Sequence, residues 1–113
     1  MAWEIEFSKQ VHDWIMDLDP EDYPKIAPAL DMLAEQGPAL GRPVVAHVKA
    51  KRHNLKEVRS SGGNLRILFA FDPDRTAILL LGGDKTGAWN AWYKQNIPVA
   101  EDLFDRHLAG EKI

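Results

Sequence analysis

The sequence predicts an α+β domain whose elements run β-α-α-β-β-β-α, with an antiparallel meander and two N-terminal helices packed on the sheet. Two observations predict it. Apolar residues alternate at the N-terminus and again from about Lys49, whereas between these stretches, and after Trp89, they recur at helical spacing. Clusters of Gly, Pro, Asn and Asp punctuate the chain where the period changes. The 113 residues and 45% hydrophobic content suit one domain over residues 1–113, with a single core and no linker, repeat or low-complexity tract.

Each element has a local cause. Trp3, Ile5 and Phe7 alternate with Glu4 and Glu6, the period of a half-buried strand. Ser8 offers an N-cap oxygen to a helix whose apolar face is Val11, Trp14, Ile15 and Leu18, and Asp19-Pro20 ends it. A second helix from about Glu21 to Gln36 places Ile26, Leu30 and Leu33 on one side and stops at Gly37-Pro38. From Lys49 a basic strand leads to the turn Ser60-Ser61-Gly62-Gly63-Asn64 and a return strand from Leu65 to Phe71, a hairpin by its turn chemistry. Asp72-Pro73-Asp74-Arg75 makes a second turn before Thr76 to Leu81, whose unbroken apolar run predicts an interior strand. After Gly82-Gly83 a helix begins near Trp89 and continues through Ile97, Ala100, Leu103, Phe104 and His107, with Pro98 expected to kink or restart it.

Charge is distributed unevenly. Lys49, Lys51, Arg52, Lys56, Arg59 and Arg66 share eighteen residues with one acid, Glu57, so this stretch carries about +5 in a chain of formal net charge −3. A local field of this kind attracts phosphate because surface charge is felt over only about 8 Å at physiological salt. The chain has no cysteine, which excludes a disulfide frame and thiolate metal sites and suits a reducing cytoplasm. The N-terminal residues lack the apolar run of a signal peptide, and Ala77 to Leu81 is too short to span a bilayer, so no membrane role is expected.

The chemistry of RNA cleavage by the substrate's own 2′-OH requires a proton acceptor, cations for the phosphorane and a proton donor to the leaving 5′-oxygen. Glu57 and Arg59 share strand parity, with Arg66 across the hairpin, so a carboxylate between guanidiniums can act as base or can form a structural ion pair. Lys85 lies in Gly82-Gly83-Asp84-Lys85-Thr86-Gly87, which lacks the second glycine of a nucleotide-binding loop; the glycines are expected to end the strand and let Lys85 reach the groove. Trp3 and Trp14 read as core, whereas Trp89, Trp92 and Tyr93 adjoin the basic groove where aromatics stack on splayed bases, with helix packing the alternative for Trp92. His53 can shuttle a proton or be a solvated surface residue, and no histidine spacing suggests a metal site.

The element order and the runs LKEVRSSGGNLRILFAFD and LLLGGDKTGAWNAWY resemble the RelE/HigB family of bacterial toxins, in particular its phage Gp49-like HigB branch. The resemblance covers Trp3 to about Leu108. It implies a RelE-like fold and the toxin of a type II toxin-antitoxin system, a metal-independent endoribonuclease that cuts mRNA, usually in the ribosomal decoding site. The implied partner is a cognate antitoxin of helix-turn-helix type, and no cofactor is implied. Carried onto this chain, the resemblance implies catalytic roles for Arg59, Arg66, Lys85 and Tyr93, to which the residues themselves add Glu57. Lys49, Lys51, Arg52, His53, Lys56 and Trp89 are the expected RNA-binding residues. The two strand lysines of RelE proteins fall on Leu55 and Glu57, and Leu55-Lys56-Glu57-Val58-Arg59 matches instead the Leu-x-Glu-Leu-Arg of HigB-like members. The sister ParE toxins share the fold and inhibit DNA gyrase without cleavage, so a ParE-like inhibitor, or a degenerate inactive phage-derived member, are the alternatives.

Overall fold

The computed structural model describes residues 2–84 and 87–113. In chain order these form β1 (Glu4–Phe7), α1 (Lys9–Met16), α2 (Tyr23–Gln36), β2 (Val45–His47), β3 (Lys56–Arg59), β4 (Arg66–Phe71), β5 (Thr76–Gly83) and α3 (Trp89–Leu108). The strands make one sheet in the order β1-β5-β4-β3-β2. The class is α+β as expected, with two differences in the sheet. It is mixed, because β1 pairs in parallel with β5 while β2 to β5 form the antiparallel meander. The basic strand expected from Lys49 begins only at Lys56, and Val45–His47 supplies an edge strand that the sequence pattern did not reveal.

Both faces of the sheet are covered, which explains the unbroken apolar run of β5. On one face α1 and α2 bury Val11, Ile26, Leu30 and Leu33 against Val58, Ile67, Phe69 and Leu79. On the other, Leu103 and Phe104 of α3 pack on Leu68, Ala70, Ile78 and Leu80. Each fully buried aliphatic or Phe side chain contributes about 1.5–3 kcal/mol by leaving water, so these clusters dominate stability. Ser8 caps α1 as predicted, accepting from the Val11 N–H at 3.1 Å, and its hydroxyl donates to the Leu80 carbonyl at 2.8 Å. One side chain thereby starts a helix and fixes it to the sheet.

A bulge in β5 opposite Leu68/Phe69 turns both Leu80 and Leu81 toward α3 and sets the orientation of the two glycines that follow. Gly82 then faces the Trp14 ring and Gly83 the Trp92 ring, so these residues are strand positions that admit an indole on either face. They are the last two residues of β5, so the glycines end the strand as the sequence predicts, two residues beyond the apolar run that stops at Leu81. Phe7, expected to point inward, is 46% exposed, because β1 is an edge and inward packing in it comes from Ile5. Helix α3 runs through Pro98 without a break, with that ring on its exposed side.

Candidate active site

Strands β3 and β4 bring the predicted ionic residues together by register. Arg59 pairs with Arg66, and Arg66 in turn lies beside Gly83 of β5. Glu57, two residues before Arg59, shares its face and is 1% exposed. Arg59 donates from Nε to Glu57 Oε2 at 2.5 Å, the Tyr93 hydroxyl donates to Glu57 Oε1, and Arg66 Nη1 donates to the same hydroxyl. The Arg66 guanidinium stands 3.8 Å from the carboxylate and stacks over the Trp89 ring at 4.3 Å. A carboxylate so deeply buried would be costly if alone, and here two cations and a phenol satisfy it. Burial, aided by the hydrogen bond to Glu57, pushes the Tyr93 hydroxyl above its ordinary value, with Arg66 opposing, so the phenol keeps its proton at neutral pH.

Tyr93 and Trp89 are placed by Trp92. The Trp92 indole is buried against Gly83, which anchors the first turn of α3 and directs Tyr93 toward Glu57 on one side while Trp89 reaches Arg66. Of the two readings open for Trp92, packing is the one observed. Next to this cluster opens a cleft of about 690 Å³ lined by His47, Lys49, Lys51, Arg59, Lys94 and Ile97, among others. One wall is the irregular segment between β2 and β3.

That segment is held by Glu101, 2% exposed, whose carboxylate accepts backbone N–H groups of Arg52 at 2.5 Å, His53 at 2.9 Å and Lys51 at 3.3 Å. Burial works against the charge, yet the three N–H donors outweigh it and hold the Glu101 carboxyl below its ordinary value of 4.5. A depressed carboxyl stabilises the fold above its unfolded value and loses that contribution as pH falls through the folded one. Urea unfolding of wild type and Glu101→Gln will therefore differ most above pH 4.5, and the two midpoints will converge as the pH falls below it. A difference that stays constant down to pH 2 would remove the charge from this account.

Not every candidate is gathered. Arg59, Arg66, Glu57, Tyr93 and Trp89 form one cluster, and Lys49, Lys51 and Arg52 line the cleft beside it. Arg52 is also bound to Asp102 at 2.9 Å and Asp105 at 2.8 Å, and His53 Nε2 lies 2.6 Å from Asp105 and edge-on to Phe104. Those two side chains clamp the segment to α3. Lys56 has the opposite strand parity from Glu57 and Arg59, and its ammonium lies 5.3 Å from the Phe71 ring, on the α1/α2 side of the sheet. Lys85 lies outside the described residues. Glu101 and Lys94 were missed, although a row of acids on α3 facing a basic segment carries a readable signal, charge complementarity. Among the described residues, no group of three His, Asp or Glu side chains is placed to hold a metal ion, and no helix is long and apolar enough to cross a membrane.

This combination of fold and side chains has known relatives. Residues 13–105 match the family described as Phage derived protein Gp49-like (DUF891). The chain is 50% identical over 103 residues to "Putative toxin HigB3" of Mycobacterium tuberculosis, covering 90% of each chain. It is 46% identical over 113 residues to "Putative toxin HigB2" of the same organism, covering 96% of this chain and 56% of that longer protein. In fold it is similar to the RelE–RelB complex of Pyrococcus horikoshii, with a TM-score of 0.59, 19% identity, and coverage of 78% of this chain and 100% of that one. The RelBE2 toxin-antitoxin complex of M. tuberculosis gives a TM-score of 0.53 at 14% identity, covering 75% of this chain and 100% of that one. By family match and by relatives of this identity, the chain belongs to the RelE/HigB family of toxins of toxin-antitoxin systems, in its Gp49-like branch.

Proposed function

We propose that this toxin acts as an endoribonuclease on mRNA, with Tyr93 carrying protons between the substrate and the buried Glu57. The observation that supports this most is the unbroken chain from Glu57 through the Tyr93 hydroxyl to Arg66, at the end of a cleft lined by lysines. Glu57 is 1% exposed and its Oε1 already accepts from the Tyr93 hydroxyl, so in this reading the phenol stands between the carboxylate and the nucleotide. The substrate 2′-OH gives its proton to the Tyr93 oxygen as the Tyr93 proton passes to Glu57 Oε1. The 2′-oxygen then bonds to phosphorus and the bond to the 5′-oxygen breaks. Arg59 and Arg66 stabilise the extra charge of the phosphorane, and the leaving oxygen takes a proton from the cleft wall, where Lys94 is the donor.

An antitoxin partner accords with the family. Lys49 and Lys51 on the cleft wall fit an acidic antitoxin segment, and an association of exposed charges of this kind weakens as salt rises.

The reaction is tested with purified protein and a single-stranded RNA in EDTA. Products carrying 2′,3′-cyclic phosphate or 3′-phosphate ends and a 5′-hydroxyl are expected. Cleavage that requires added metal and leaves 5′-phosphates would overturn the proposal. Growth arrest with every RNA intact would point instead to a protein target, as for ParE.

A further inference from the structure

The cleft beside Tyr93 accounts for only one side of a bound strand. On the far side of Arg59 and Arg66 lies a second groove, about 630 Å³, between α2 and the β3–β4 turn. Both grooves include Arg59 in their walls, and Arg66 lines the second, so the two meet where the arginines stand. Their chemistry differs. The first sets Lys49, Lys51, Arg52 and Lys94 among apolar Ile97 and Pro98, whereas the second sets Pro24, Pro28, Met32, Pro43 and Val44 beside Lys25 and the two arginines.

Three of the chain's seven prolines converge on this groove. Pro28 stands inside α2, where a proline removes a backbone hydrogen bond and costs about 3 kcal/mol in a helix interior. The carbonyl of Pro24, four residues earlier, loses its usual helical donor for the same reason. Proline rings and a thioether, beside a carbonyl deprived of its helical donor, fit a nucleobase, which offers a ring face and polar edges. A phosphate held by Arg59 and Arg66 has a nucleotide on each side, and only one of these can occupy the lysine-lined cleft.

From this we infer that the proline-walled groove is a base-binding subsite for the nucleotide across the scissile phosphate from the cleft, so that the two grooves hold single-stranded RNA on either side of the arginines. This inference rests on the RNA-cleaving reading above.

The test uses Pro28→Glu, an exposed position whose change removes a helix-interior proline and puts a carboxylate on the groove wall, together with Met32→Gln as a second, uncharged variant. Cleavage of a single-stranded RNA is compared with that of the same RNA carrying an abasic site immediately 5′ or immediately 3′ of the scissile phosphate. For wild type, one of the two abasic substrates is expected to lose about 10-fold or more in kcat/KM. Both variants should lose a similar factor on the intact RNA and show little further loss on that abasic substrate, while still melting cooperatively. If both variants cut intact RNA like wild type and keep the full abasic effect, the subsite is overturned and the cleavage reading survives. Should wild type leave all RNA uncut, both fail. Capture of a peptide rather than RNA by the groove would show as wild-type cleavage in both variants with loss of antitoxin affinity, which also overturns the inference.

Discussion

Tyr93→Phe is expected to lower kcat for RNA cleavage by about 10²–10⁴-fold, the range for loss of a positioned proton-transfer group, with little change in KM. The hydroxyl touches both the buried carboxylate and Arg66, so removing it cuts the path between Glu57 and the substrate without emptying the cleft. The substitution also leaves Glu57 Oε1 short of a donor inside the protein, which costs about 1–3 kcal/mol of stability. Rates should therefore be taken per folded molecule, at a temperature well below the melting transition. Glu57→Gln should match the loss in kcat, because an amide cannot receive the relayed proton. Full activity in Tyr93→Phe together with inactivity in Glu57→Gln would exclude the relay and leave Glu57 as a structural anchor for the arginines.

The second large effect is expected at a residue with no side chain. In Gly83→Ala the new Cβ would stand 2.5 Å from the Trp92 ring, closer than carbon atoms pack, with the indole held inside the α3-side core. Overpacking of this kind costs about 1–3 kcal/mol. Displacement of Trp92 also shifts Tyr93 and Trp89, and a shift of about 1 Å in a reacting group can cost about 10²-fold in rate. Gly82→Ala is the matched control, since its Cβ would come 2.4 Å from the Trp14 ring on the opposite face. Both variants should lose stability to a similar degree, but only Gly83→Ala should lose cleavage per folded molecule. Equal rates in the two would show that the indole at Gly83 does not position the site.

The difference between these neighbouring glycines marks where the sequence stopped being legible. Helical faces, the Ser8 cap, both turns and the parity of Glu57 with Arg59 are local properties, and the chain folds as they indicate. The parallel pairing of β1 with β5 joins residues about seventy positions apart, and no local period encodes it. Nor does a period encode the bulge that reorients Gly82 and Gly83. The segment from Lys49 alternates like a strand, yet the buried Glu101 takes up its N–H groups from α3 before a neighbouring strand can, so tertiary contact overrides the pattern. Within the site, residue types and facing were readable from the hairpin. The placement of Tyr93 over Glu57 was not, because it depends on how α3 settles on Gly83.

The Glu101 carboxylate grips the cleft wall through main-chain groups that every non-proline residue possesses. The contour of that wall is thus written in Glu101 and the Arg52 and His53 clamps, and its chemical surface in the side chains of Lys49 and Lys51. These side chains can be exchanged without asking the scaffold to be rebuilt. If the cleft holds RNA or an antitoxin segment as proposed, a lineage can retune which of these it accepts by altering the wall's side chains while its contour stays inherited intact.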